Sequence, residues 1–230
     1  MVNGNFSKKP KFIKNLFNSI SNDYDRLNDI MSFGLHKKIK QDIIKQISIY
    51  RPFTILDLCC GTGDLTGLLK EKYPDAKVIG IDFSDKMLEV ARKKNPNIEF
   101  LEADCTQLPF EDESFDLCTI SFGLRNVEDI EKVLKEIYRV LKKSGVFINL
   151  DLGKPNKFFN LFLKPYMYLW VVFLGKIFHG DETPYKYLAA SNEDFPAQQD
   201  LMKLYKQYWF TPIKNKDYLL GQIAAQISIK

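Results

Sequence analysis

Apolar and polar positions divide the chain into three stretches. Over the first fifty residues Phe12, Leu16, Phe17 and Ile20, then Ile39, Ile43, Ile44 and Ile47, recur three to four apart, which predicts amphipathic helices. From Thr54 the period changes. TILDL, KVIGIDF, IEFLEA, FDLCTIS and GVFINLDL are short apolar runs that predict buried strands. Between them GTGDLTGLLKEKY, SDKMLEVARKK with Ser84 as N-cap, and VEDIEKVLKEIYRVLKK carry helical apolar faces. This alternation predicts an α/β fold, a parallel doubly wound sheet with helices on both faces. After Gly153 the period is lost in a stretch rich in Phe, Tyr and Leu; it returns with DLMKLYKQYWF, a helix, and LLGQIAAQISI, expected to supply edge strands. Residues 1–50 are therefore read as a helical N-terminal cover, 51–230 as the main domain, and 154–195 as a lid inserted over the strand ends, where such sheets place ligands.

Charge is unevenly spread over the 230 residues. Residues 1–50 hold nine Lys/Arg against four Asp/Glu, 51–152 fourteen against nineteen, and 153–230 ten against six. An acidic centre between basic flanks argues against a nucleic-acid groove through the core, while the flanks suit an anionic membrane surface. The N-terminus MVNGNFSKKPKF has no apolar core of a secretory signal, so a cytoplasmic protein is expected. Cys59, Cys60, Cys105 and Cys118 form no CxxC pair, and His36 and His179 are the only histidines, so neither a disulfide framework nor a metal site is expected. The most apolar stretch, 158–178, is interrupted by Lys164, Pro165 and Lys176 and is too short to span a bilayer. Its Tyr166, Tyr168 and Trp170 suit either a core helix or a peripheral membrane face sheltering a prenyl chain.

Candidate chemistry gathers at the predicted carboxyl edge of the sheet. In LDLCCGTGD, Gly61 and Gly63 permit a tight turn and close ligand approach at a helix N-terminus. The dinucleotide fingerprint would place its third glycine at Thr66, so a nicotinamide cofactor is disfavoured. Asp82 ends the second predicted strand 21 positions after Gly61, where a carboxylate can accept ribose hydroxyls. Asp104 with Cys105 follows the third strand and Ser121 the fourth. Three acidic groups, Asp57, Asp82 and Asp104, repel a pyrophosphate and suit a cationic cofactor such as S-adenosylmethionine. Arg125 and Asn126 in SFGLRN follow the fourth strand, and Tyr24 and His36 in the cover are candidate substrate contacts or bases.

Taken together, SISNDYDRLNDIMSFGLHK, ILDLCCGTGDLT, ISFGLRNVEDIEKVLKEIYRVLK, LGKP and DETPYKYLAASNEDFP resemble the ubiquinone/menaquinone biosynthesis C-methyltransferase family from about Phe17 onward. The resemblance implies a class I S-adenosylmethionine-dependent methyltransferase with a seven-stranded sheet whose last strand is antiparallel. It implies C-methylation of a demethylated prenyl quinol, demethylmenaquinol or its phytyl equivalent, or alternatively a benzoquinol of the ubiquinone pathway. By position, it places cofactor contacts on Thr62, Asp82, Asp104 with Cys105, and Ser121. Arg125, His36 or Tyr24 would then assist ionisation of the quinol. A membrane surface and a second copy of the chain are its expected partners besides the quinol. A non-catalytic scaffold for quinone synthesis would keep the fold and bind no cofactor. A nucleic-acid methyltransferase is disfavoured, since ISFGLRN replaces a base-flipping NPPY-type loop after the fourth strand.

Overall fold

A computed structural model describes residues 10–155, 169–170, 186–187 and 191–230. Three helices come first: α1 (Pro10–Ile20), α2 (Tyr24–Ser32) and α3 (Leu35–Gln46). Pro10 opens α1, where its missing N–H costs nothing. The alternating part follows as β1 (Thr54–Leu58), α4 (Asp64–Lys72), β2 (Lys77–Asp82), α5 (Asp85–Lys94), β3 (Glu99–Glu102), β4 (Phe115–Ser121), α6 (Ile130–Val140) and β5 (Leu141–Leu152). The chain closes with α7 (Gln198–Gln207), β6 (Thr211–Tyr218) and β7 (Ile223–Ile229).

The seven strands lie in the order β3-β2-β1-β4-β5-β7-β6, with β1 to β5 parallel and β7 antiparallel to both its neighbours. The strand order reverses between β1 and β4, which opens a crevice at their carboxyl ends. Period-two side chains feed two cores. Leu56 and Leu58 of β1 pack with Val133, Leu134 and Ile137 of α6 and Leu201 and Tyr205 of α7. Ile55, one residue out of phase, packs on the other face with Ile43 and Ile44 of α3 and Leu65 and Leu69 of α4. Helix α1 docks Ile13, Leu16 and Ile20 on Met87 of α5 and on Tyr187, so the cover is tied both to the sheet domain and to the segment after β5. Each such fully buried aliphatic side chain contributes about 1.5–3 kcal/mol.

Ser84 caps α5 as expected, its hydroxyl accepting from the Met87 N–H at 3.2 Å. Two expectations are corrected. Helix α6 ends at Val140, and the LKK read as its last turn begins β5, because Leu141 pairs with Phe115 of β4 across a bulge. The final apolar run does not form the sheet edge. Its strand β7 lies between β5 and β6 and is buried along most of its length, which is why it is apolar apart from the buried Gln226 and Ser228; the edge is β6, TPIKNKDY, whose polar side chains face water. The lid expected over 154–195 and the run 158–178 lie mostly outside the described residues.

Several core positions are polar, and one of them is an acid inside the first strand. Asp57 of β1 is 1% exposed and accepts hydrogen bonds from Thr119 (2.6 Å) and Thr66 (2.6 Å). Burial raises its pKa from 3.8 to about 6, against the opposing pull of those hydroxyls. The folded state therefore holds this proton more tightly than the unfolded chain, so the stability linked to it is fully present below about pH 4 and is lost as pH rises through 6. Asp57→Asn should remove this dependence, worth up to about 3 kcal/mol at about 1.4 kcal/mol per pH unit. Urea unfolding at pH 4 and pH 7 should show the wild-type stability falling more with pH than the variant's.

Candidate active site

At the switch point a cavity of about 170 Å³ opens above the ends of β1, β2, β3 and β4. Its floor is the turn after β1. Gly61 adopts φ +56°, and its N–H donates to Asp82 Oδ2 at 2.9 Å. Asp82 Oδ1 accepts from the Ser84 N–H at 2.9 Å, so one carboxylate clamps the glycine turn to the start of α5. Burial raises the Asp82 pKa, and the N–H groups of Ser84, Gly61 and Phe83 work against that rise. Gly63, at φ +77°, begins α4, and a Cβ there would lie 2.9 Å from Asn95 Nδ2 and 3.0 Å from Phe100.

Tyr24, Asp104, Cys105 and Ser121 line the cavity with Gly61 and Asp82. Asp104 Oδ1 is taken by the N–H and hydroxyl of Thr106, both at 2.8 Å, which fixes the turn after β3. Among the described residues the buried Ser121 hydroxyl finds no hydrogen-bond partner. A buried orphan hydroxyl beside a cavity is costly unless a ligand completes it, so this group fits a site built to hold a polar cofactor. Thr62 and Gly63 are not on the cavity wall. The Thr62 hydroxyl donates to Asp25 of α2 at 2.5 Å, and Asp25 also accepts from Lys94 at 2.6 Å, a cation shared with Asp64. The N-terminal cover is thereby latched to the glycine turn.

Burial raises the Tyr24 pKa, and the nearby positive charge of Arg125 offsets part of the rise. Arg125 itself stands behind the cavity wall. It is 5% exposed; its Nη1 donates to Asp151 Oδ1 (2.7 Å) and to the Phe122 carbonyl (2.6 Å), and its Nε to Ser191 (3.2 Å). Asp151 also accepts from the Arg125 backbone N–H at 3.1 Å. The cation expected to meet a substrate oxyanion is thus already neutralised, and its surroundings make it a brace of the loop after β4. His36 lies outside the cavity lining, on α3. Its Nδ1 is 2.7 Å from the Ser32 hydroxyl, its Nε2 is 3.7 Å from Asp29, and burial together with the charge of Lys40 lowers its pKa, favouring the neutral ring.

Two further residues shape the site and were not read from the sequence. Asp151 is the penultimate residue of β5, close to the place that Asp82 takes at the end of β2, a signal that was legible in GVFINLDL. Tyr187 was not legible individually. Its hydroxyl donates to Asn126 Oδ1 at 3.0 Å while Asn126 Nδ2 donates to the Phe122 carbonyl at 3.1 Å, so the amide that lines the cavity is held in one orientation. Among the described residues no cluster of three or more His, Cys, Asp or Glu has the arrangement of a metal site.

Known proteins resemble this chain over nearly its whole length. The family model of the ubiE/COQ5 methyltransferase family matches residues 5–230. A demethylmenaquinone methyltransferase of Lactococcus lactis subsp. lactis (strain IL1403) is 41% identical over 229 residues, covering 95% of this chain and 89% of its own. One from Thermotoga maritima is 40% identical over 205 residues, covering 88% and 90%. Among solved structures, an S-adenosylmethionine-dependent methyltransferase from Aquifex aeolicus superposes with a TM-score of 0.60 at 16% identity, over 83% of this chain and 88% of its own, a likeness of fold.

The buried ion pair generates a stability prediction. Arg125→Ala leaves Asp151 charged, buried and unpaired and should lower unfolding stability by about 3–5 kcal/mol. Adding Asp151→Ala to it should restore part of the loss, measured by urea unfolding of the single and double variants.

Proposed function

The chain belongs to the ubiE/COQ5 methyltransferase family, and on that premise we propose that it methylates a ring carbon of demethylmenaquinol with S-adenosylmethionine as donor. The observation that carries this reading is the cavity at the switch point, which joins Asp82, Asp104 and the orphaned Ser121 to an apolar wall of Ile13, Phe17, Phe83, Met87 and Val127. A cavity lined by both polar groups and apolar side chains suits a polar cofactor meeting a prenylated aromatic ring. A non-catalytic scaffold would have no use for them. Relatives named for demethylmenaquinone favour the naphthoquinol over the benzoquinol ring.

When bound, S-adenosylmethionine supplies an electrophilic methyl group on a sulfonium. Asp82 would accept the ribose hydroxyls with the lone pairs left over from Gly61 and Ser84, and Ser121 and the turn of Asp104 with Cys105 would bound the rest of the cofactor. Tyr24 stands at the cavity wall, where its phenol can hydrogen-bond a quinol hydroxyl. Ring carbon becomes nucleophilic when that hydroxyl ionises, and ionising a phenol of pKa ~10 at pH 7 costs about 4 kcal/mol. Arg125, neutralised by Asp151, acts as a positioning residue: it fixes the loop that carries Asn126 and biases Tyr24 electrostatically. The apolar wall excludes water from an ion pair that neutralises itself on transfer.

We also propose that the protein associates peripherally with a membrane surface. Phe33, 71% exposed at the α2–α3 corner, stacks on Trp170 with ring centroids 6.3 Å apart and planes at 9°, beside the exposed Leu169. Lys37 and Lys38 are exposed on the following turn. Aromatic side chains beside cations suit an anionic lipid interface. No helix among the described residues is long and apolar enough to cross a membrane.

Mass spectrometry of the quinones of cells lacking the protein should show a species lighter by one methyl group; an unchanged quinone profile would refute the function. Tyr24→Phe should lower kcat by on the order of tenfold or more, the loss shrinking as pH rises, because hydroxide then ionises the quinol unaided. A loss confined to KM would make Tyr24 a docking residue only. Phe33→Ser should reduce flotation of the protein with anionic liposomes, and raising salt should reduce it further.

A further inference from the structure

Cys59 is an anomaly of the backbone. It is a non-glycine residue held at φ +50°, a conformation that a side chain adopts at an energetic cost, at the start of the turn that floors the cavity. Its neighbours explain where the side chain must go. Gly123 abuts it so closely that a Cβ there would lie 2.5 Å from Cys59 Cβ, and the sulfur is directed to Cys105, Sγ to Sγ 4.0 Å. Both cysteines line the cavity and both are partly exposed. The other two thiols are differently placed: Cys60 Sγ lies 3.9 Å from its neighbour's carbonyl, and Cys118 is fully buried in the sheet.

We propose that Cys59 and Cys105 form an oxidisable thiol pair, a modification site at which a peroxide closes a disulfide across the cofactor cavity. The inference rests on the methyltransferase reading for its consequence, loss of S-adenosylmethionine binding. The bond to Cys105 and burial raise the Cys59 pKa and keep that thiol protonated, so the attack on peroxide is assigned to the Cys105 sulfur, which the half-exposed turn after β3 presents to the cavity. The Cys105 sulfur attacks one peroxide oxygen, the O–O bond breaks, and the departing oxygen leaves as water with the Cys105 proton. The resulting sulfenic acid is attacked by Cys59; its S–O bond breaks as the S–S bond forms, and the second water carries off the Cys59 proton. Two thiols and one hydrogen peroxide thus become one disulfide and two waters.

A disulfide requires an S–S distance of about 2.05 Å, so closure shortens the present separation by about 2 Å. Cys59 has little freedom to move, wedged against Gly123 with the N–H of the next residue bonded to the Ile81 carbonyl at 2.9 Å. The displacement falls on the half-exposed turn of Asp104, Cys105 and Thr106, which is drawn across the cavity floor away from its present position.

The test is peptide mapping and calorimetry on the full-length protein, reduced and then treated with stoichiometric hydrogen peroxide. Mapping should find a Cys59–Cys105 cross-linked peptide with Cys60 and Cys118 still free, and S-adenosylmethionine affinity should fall at least tenfold and return on reduction with dithiothreitol. Cys59→Ser and Cys105→Ser, each compared with its own reduced state, should show no peroxide-dependent change in affinity. Reduced protein that binds S-adenosylmethionine while peroxide leaves all four thiols free, links a different pair, or closes the bond without altering affinity would overturn the proposal and leave the methyltransferase reading standing. Reduced protein that binds no S-adenosylmethionine would overturn that reading, and the switch with it.

Discussion

The site depends on one buried carboxylate. Asp82 sits at the end of a strand where its two oxygens reach two backbone N–H groups, one in the glycine turn after β1 and one at the start of α5. Burying a charge is expensive unless backbone donors meet it, and these donors come from the two segments on either side of the cavity floor that the carboxylate ties together. The same contact sets the shape of the cavity floor and holds a negative charge at its edge. With the Cys60 N–H on the Ile81 carbonyl, it anchors the turn that holds Gly61 at φ +56° to the end of β2.

Around that clamp the fold adds successive restraints, each from a different part of the chain. Asp25 of the N-terminal cover bonds Thr62 in the turn, so the cover closes directly on the loop that would hold the cofactor. Asp151, at the end of β5, neutralises Arg125 and ties down the segment after β4. Tyr187 then orients Asn126 from the far side while its ring meets Phe12 of α1 edge-on, centroids 6.0 Å apart. Cover, the end of β5 and the segment after it therefore converge on the loops that line the cavity.

Much of this was legible in the sequence because strands and their ends have strong local signatures. Five apolar runs, the first four followed by Gly61, Asp82, Asp104 and Ser121, place ligand-capable groups at one edge of a parallel sheet. What stayed hidden depends on distance along the chain. Arg125 reads as a free cation in SFGLRN, and only the pairing with Asp151, 26 residues on, turns it into a brace. His36 reads as a candidate base, yet the helical turn that gives its Nδ1 the Ser32 hydroxyl also carries it away from the cavity. Strand β6 was invisible because an edge strand need not be apolar, and α6 was read too long because LKK suits a last helical turn as well as it suits a first strand pair.

The account is tested most directly by calorimetric titration of S-adenosylmethionine into the wild-type protein and into Asp82→Asn, with circular dichroism to confirm that both are folded. The amide keeps one acceptor and loses the charge, so the account predicts saturable one-to-one binding by the wild type and affinity at least tenfold weaker in the variant, the equivalent of at least about 1.4 kcal/mol. Equal affinity in the two proteins, or no binding by the folded wild type, would contradict it.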